Sequence, residues 1–186
     1  MCIRDRERTF WFVSFTILFY SLATYPLVAL LLPVFMSQQL GYDYTAIGIA
    51  YMLYNVIASS VTFSTLKMSL GVRRVVVQSL MALFASFLLA NSDNYFPALF
   101  LVLALAHGLG IGFFESIIAK ITKNRLTVSV DIGLLHIPMY LAEFTSVLCA
   151  GFVAQFLGYM PMFVSSGIFF TTFSALSLYA LKARDN

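Results

Sequence analysis

Residues 95–125 read YFPALFLVLALAHGLGIGFFESIIAKITKNR. About twenty apolar residues suffice to cross the hydrocarbon of a bilayer, and the run from Tyr95 to Ala119 exceeds that before it meets Lys120, Lys123 and Arg125. Outward from it stand five more apolar stretches, at 10–36, 43–66, 74–91, 129–154 and 158–181. The remaining basic residues fall only in alternate connections. Arg4, Arg6 and Arg8 precede the first span, Lys67, Arg73 and Arg74 lie between the second and third, and Lys182 and Arg184 follow the sixth. The opposite connections hold Asp43 and Asp93 and no cation. All 11 cations on one side by independent choice is about a one-in-a-thousand outcome, so the excess of positive charge orients the chain with both termini in the cytoplasm.

A chain that is 61% hydrophobic and 10% charged is excluded as an ordinary soluble domain. At membrane depth each segment must satisfy its own backbone, which selects helices over an open sheet, and alternation with a period of two is missing, which excludes a β-barrel. The fold class read here is all-α: a polytopic membrane protein of six transmembrane helices, placed as a multi-pass protein of the plasma (inner) membrane. The net charge of +3 is accounted for by the cytoplasmic loops and calls for no nucleic acid. The first apolar stretch is too long for a cleavable signal and lacks a small-residue cleavage site. Cys2 and Cys149 fall at different depths, so no disulfide is expected, and Cys149 reads as a small packing residue.

No linker or low-complexity tract interrupts the spans. The expected organisation is a cytoplasmic stretch at 1–9, a six-helix body at 10–181 and a cytoplasmic tail at 182–186. The opening hexapeptide MCIRDR looks like translated adapter sequence, so Arg4 and Arg6 are expected to be foreign to the natural chain; the topology stands on the other cations. The short outer loop at 91–94 divides the body into three-helix units, 10–91 and 95–181. These run in opposite senses, as inverted repeats of secondary transporters do.

Four strings carry a resemblance to the major facilitator superfamily, and specifically to one six-helix half of it. They are LGYDYTAIGIAY (40–51), STLKMSLGVRR (64–74), HGLGIG (107–112) and GFVAQFLGYMPMF (151–163). The second is similar to the family's loop motif, with Gly71, Arg73 and Arg74 at its glycine and paired basic positions. The motif's acidic residue is replaced by Met68, and the family's Arg ahead of the glycine run is Ala104. These departures favour the carboxy-terminal half. The resemblance implies a second six-helix half, in the same chain or as a second copy, so that this chain is a fragment of a twelve-helix protein or a half that dimerises.

Ionisable side chains inside a bilayer are costly and are candidate sites by default. They are His107 and Glu115 in the fourth helix and Asp131, His136 and Glu143 in the fifth. In an antiparallel pair, residues at equal depth have numbers of constant sum. This sets His107 level with Glu143, Glu115 with His136, and Lys120 with Asp131. At about 100° per residue, His136, Tyr140 and Glu143 share one face of the fifth helix. His107, Glu143, Glu115 and His136 are therefore candidates for proton coupling or gating, because imidazole titrates near neutrality and burial can raise a carboxylate toward it. The bland alternative is a set of satisfied pairs stapling two helices. Lys120 and Asp131 read as a salt bridge at the membrane rim.

The resemblance places the first and fourth helices along a central cavity. There Tyr20, Thr24 and Tyr25, with Asn55 on the second helix and Tyr140 on the fifth, are candidates to contact substrate. Against this, Thr often bonds its own helix and Tyr marks membrane interfaces. Pro26 and Pro33 are expected to bend or break the first helix, and Pro138 to kink the fifth. The third and sixth helices read as the plainest. Gly108, Gly110 and Gly112 lie in the membrane and read as close-packing positions.

The function expected is secondary active transport of a small solute by alternating access, coupled to protons. A non-transporting membrane subunit or sensor is the alternative. No nucleotide-binding loop, metal-ligand set or HExxH context is present, and Ser165-Ser166-Gly167 is a poor match to a membrane serine protease, so neither an enzyme, a cofactor nor a metal is expected.

Overall fold

The computed structural model describes residues 8–66, 71–89, 91, 95–123 and 127–185. The hexapeptide MCIRDR, Lys67, Met68, Asp93 and Arg125, and the side chains of Arg8, Lys182 and Arg184, lie outside the described residues. Every described element is helical. α1 runs Arg8–Pro26, passes through a π-helical turn Leu27–Leu31 and continues Leu32–Gln38; α2 is Tyr44–Leu66, α3 Val72–Leu89, α4 Phe96–Thr122, α5 Val128–Leu157 and α6 Met160–Asp185. Six of these spans are long and apolar enough to cross a membrane, and their ends lie within three residues of those read from the sequence.

Local chemistry sets the boundaries. The Asp43 carboxylate accepts the Ala46 backbone N–H at 2.7 Å and so caps α2, satisfying one of the donors that a helix start leaves over. Gly158 has φ 82°, a conformation open to glycine at little cost, and there the chain reverses from α5 into α6.

The prolines of α1 bend its hydrogen-bonding pattern without ending the span. In the π turn, the Leu32 N–H reaches back five residues to the Leu27 carbonyl. The same pattern assigns the Val28 carbonyl to residue 33, which is a proline with no N–H. That orphaned carbonyl is taken by the Tyr51 hydroxyl of α2, which donates to it at 2.7 Å. α5 likewise stays helical through Pro138.

The helices pack as two rows of three. One row is α2–α4–α3 and the other α5–α1–α6; the rows meet along α1–α4 and α3–α6, while α2 and α5 do not touch among the described residues. In consequence 50% of the apolar window of α1 and of α4 is buried, against 11% in α2 and 17% in α5. Helices in lipid gain little from hydrophobic burial and are held by close packing and hydrogen bonds. The glycines of α4 supply the first. A Cβ on Gly108 would lie 2.9 Å from the Val61 Cβ, and one on Gly112 2.7 Å from the Thr65 Cβ, so both glycines face α2 at touching distance. Gly110 faces the other way, where a Cβ would stand 3.0 Å from Tyr20 Cε2 and 3.4 Å from Gln78 Nε2.

Hydrogen bonds supply the second. The Thr62 hydroxyl donates to the Gly108 carbonyl at 3.0 Å, tying α2 to α4, and the Ser166 hydroxyl donates to the Ala23 carbonyl, tying α6 to α1. The reading of α3 and α6 as the plainest helices is corrected here. Gln78 of α3 is fully buried, and its side-chain carbonyl accepts the Ser174 hydroxyl of α6 at 2.5 Å. A lone amide in an apolar helix is expensive unless a neighbouring helix answers it.

Candidate functional site

Polar side chains gather in two places along the inner helices. The first is a buried aromatic cluster. Tyr20 of α1 stacks on Phe114 at 5.4 Å and lies 6.0 Å from the His107 ring of α4, centroid to centroid. Tyr54 of α2 is almost fully buried and its hydroxyl meets His107 Nδ1 at 2.8 Å. A tyrosine hydroxyl can both donate and accept, so this contact holds with either tautomer of the ring. A proton on Nδ1 makes that nitrogen the donor and the Tyr54 oxygen the acceptor, and its absence reverses the bond. Next to it the Tyr20 hydroxyl and the Gln78 amide nitrogen are buried without a hydrogen-bond partner among the described residues.

The second place is a cleft of about 470 Å³ between α1 and α5, lined by Tyr25, Tyr140, Glu143, Phe144, Val147 and Leu148. Residues 140, 143, 144 and 147 recur at the spacing that puts side chains on one helix face. Tyr25 closes the cleft from α1, just ahead of Pro26 and the π turn. The Glu143 carboxylate makes no hydrogen bond or ion pair with a described residue, and the same holds for Glu115, which is exposed on α4.

His136 links the two places. Its ring meets Phe114 edge-on at 5.6 Å and lies 6.2 Å from Tyr140. Its Nδ1 lies 2.8 Å from the Ile132 carbonyl, to which it can only donate, so Nε2 is the nitrogen left for exchange. Glu143 lies within electrostatic reach of His136, and both Glu115 and Glu143 within reach of Tyr20.

The pairing by matched depth is corrected. His107 meets Tyr54 and not Glu143, and His136 meets its own helix and Phe114 and not Glu115. The physical reason is that α4 is occupied by α2 and α3, whereas α5 leans on α1, so the two consecutive helices share little surface. Tyr54, Gln78 and Ser174 were missed by sequence reasoning. The signal available was the cost of a lone amide in α3.

Among the remaining candidates, Thr24 donates to the Tyr20 carbonyl of its own helix at 3.0 Å, and Asn55 donates to the Tyr51 carbonyl at 2.8 Å while staying exposed. Both therefore spend a donor locally, as such residues commonly do. Tyr25 and Tyr140 line the cleft. Gly71 starts α3, its carbonyl accepting the Arg74 and Val75 N–H groups, and together with Arg73, Arg74, Val77 and Leu109 it lines a separate cleft of about 500 Å³. Asp131 is fully buried and accepts the Thr127 hydroxyl at 3.4 Å, so its surroundings are not those of an exposed rim carboxylate.

No protein-family model matches the chain, and neither a curated protein nor a solved structure does.

Proposed function

We propose that this chain is one six-helix half of a secondary transporter of the major facilitator type, moving a small solute by alternating access with a proton as the coupling ion. The observation that carries the reading is the Glu143 carboxylate, which makes no ion pair with a described residue and stands in an open cleft between two membrane-length helices. A charge at such a position is costly unless function requires it. The packing adds support. Exchanging α1 with α4, α2 with α5 and α3 with α6 carries the pair α2–α4 onto α5–α1 and the pair α4–α3 onto α1–α6. It also leaves α1–α4 and α3–α6 unchanged, while the lesser contacts α5–α6 and α4–α6 have no counterpart among the described residues.

In this reading both termini are cytoplasmic, the membrane is the plasma membrane, and a second six-helix unit closes the open end between α2 and α5. His107 and Glu143 exchange protons as the cleft changes sides. Gly71, Arg73 and Arg74 hold the cytoplasmic start of α3 against the headgroups.

Alternating access is tested without knowing the solute. The full-length protein, with Cys149 replaced by Ser and a single Cys at Val147, is exposed to a membrane-impermeant maleimide from each face in turn. Labelling from both faces is expected. Labelling from one face only would favour a non-transporting subunit or sensor with the same helical fold.

A further inference from the structure

We infer that the cleft between α1 and α5 binds a lipophilic organic cation, with Glu143 as its counter-charge and the rings of Tyr25, Tyr140 and Phe144 as its walls. Three observations carry this. The volume of about 470 Å³ falls within the range of small-molecule pockets, which is about 300–1,000 Å³. Three of its six lining residues are aromatic, two of them phenols, whose faces attract a cation by their quadrupole. The carboxylate in its wall makes no ion pair with a described residue, His136 alone lying within electrostatic reach of it. Its negative charge, set among Val147, Leu148 and rings, selects against anions, which would meet repulsion, and against neutral solutes, which would leave the charge uncompensated. A small hydrated metal ion is disfavoured too. It wants several oxygen ligands, and no group of three His, Cys, Asp or Glu side chains able to hold one occurs among the described residues. An organic cation surrenders little hydration on entering and gains both the rings and the charge.

This inference names a ligand class for the cleft of the proposed transporter, but it concerns binding and stands without transport. The test is equilibrium binding of radiolabelled tetraphenylphosphonium to the purified full-length protein in nanodiscs, with tetraphenylborate as an anion of the same shape. Saturable binding is expected, with tetraphenylborate failing to compete. Glu143→Gln should weaken it at least about tenfold, Tyr140→Ala by about three- to tenfold, and Tyr140→Phe by less than about twofold, since the ring is kept. Binding that is unchanged in a monodisperse Glu143→Gln protein, or equal competition by tetraphenylborate, overturns the inference and leaves a lipid-filled apolar groove. If Glu143→Gln does not fold, the tetraphenylborate comparison on the unaltered protein and the Tyr140 pair decide the matter alone. Tetraphenylphosphonium bound under Glu143 control with no solute movement in liposomes would end the transport reading and uphold this one. Solute movement that needs Glu143 without tetraphenylphosphonium binding would do the reverse.

Discussion

Replacing Tyr51 by Phe should cost the fold about 1–2 kcal/mol, and the structure states why. The π turn of α1 leaves the Val28 carbonyl facing residue 33, a proline, and the Tyr51 hydroxyl donates to it at 2.7 Å. Removing that hydroxyl strands an acceptor in an apolar surround, with a penalty of roughly 1–3 kcal/mol, while hydrogen bonds between membrane helices have measured near 0.6 and up to about 1.7 kcal/mol. For a chain of this length about 1.5 kcal/mol corresponds to a fall in Tm of roughly 3–6 °C. The assay is thermal unfolding in detergent, followed by the loss of monodisperse protein, on a double-mutant cycle with Pro33→Ala. Alanine at 33 restores a backbone donor five residues beyond Val28, the partner a π turn provides. In that background Tyr51→Phe should cost less than about 0.5 kcal/mol, because the carbonyl is then answered from its own helix. An equal loss in both backgrounds, or no loss in the unaltered one, would refute the assignment of Tyr51 to the orphaned carbonyl.

Gly112→Val should be more damaging than Gly110→Ala, because at 112 even a Cβ meets Thr65 at 2.7 Å whereas at 110 it meets the movable edge of Tyr20 at 3.0 Å. Yields of folded protein from the two variants, purified side by side, check the order. Glu143→Gln should abolish gradient-driven uptake in the full-length protein while its abundance in the membrane stays nearly normal; loss of folded protein instead would make Glu143 a structural residue. Tyr54→Phe removes the hydrogen-bond partner of His107 Nδ1 and should cost about 1 kcal/mol in thermal unfolding while releasing the ring, seen as a changed imidazole NMR signal. Gln78→Leu deletes a buried amide nitrogen that has no partner among the described residues, and the Ser174 hydroxyl can then turn its one proton to the Phe170 carbonyl at 2.9 Å. Its Tm should therefore hold within a few degrees, and a large fall would mean that the amide nitrogen has a partner in the folded protein.

The six spans and their ends were legible in one dimension, because a bilayer imposes length and apolarity on each helix separately. The glycines of α4 were legible as packing positions for a related reason, since little else explains three glycines inside a membrane helix. Their division of labour was not: two face α2 and one faces Tyr20 and Gln78, and only the arrangement of neighbours decides that. The candidate site was legible as a set of costly residues, and Glu143, Tyr140 and Tyr25 do share one cleft. Their partners were not legible. Matched depth assumes that helices adjacent in sequence are adjacent in space, and α4 instead spends its surface on α2 and α3, which gives His107 to Tyr54. Hydropathy is nearly the same around each of these helices, so it says how deep a side chain lies and not which way it turns. Depth is fixed by the solvent and can be read from the chain; direction is fixed by the packing of six helices against one another, and only the tertiary structure decides it.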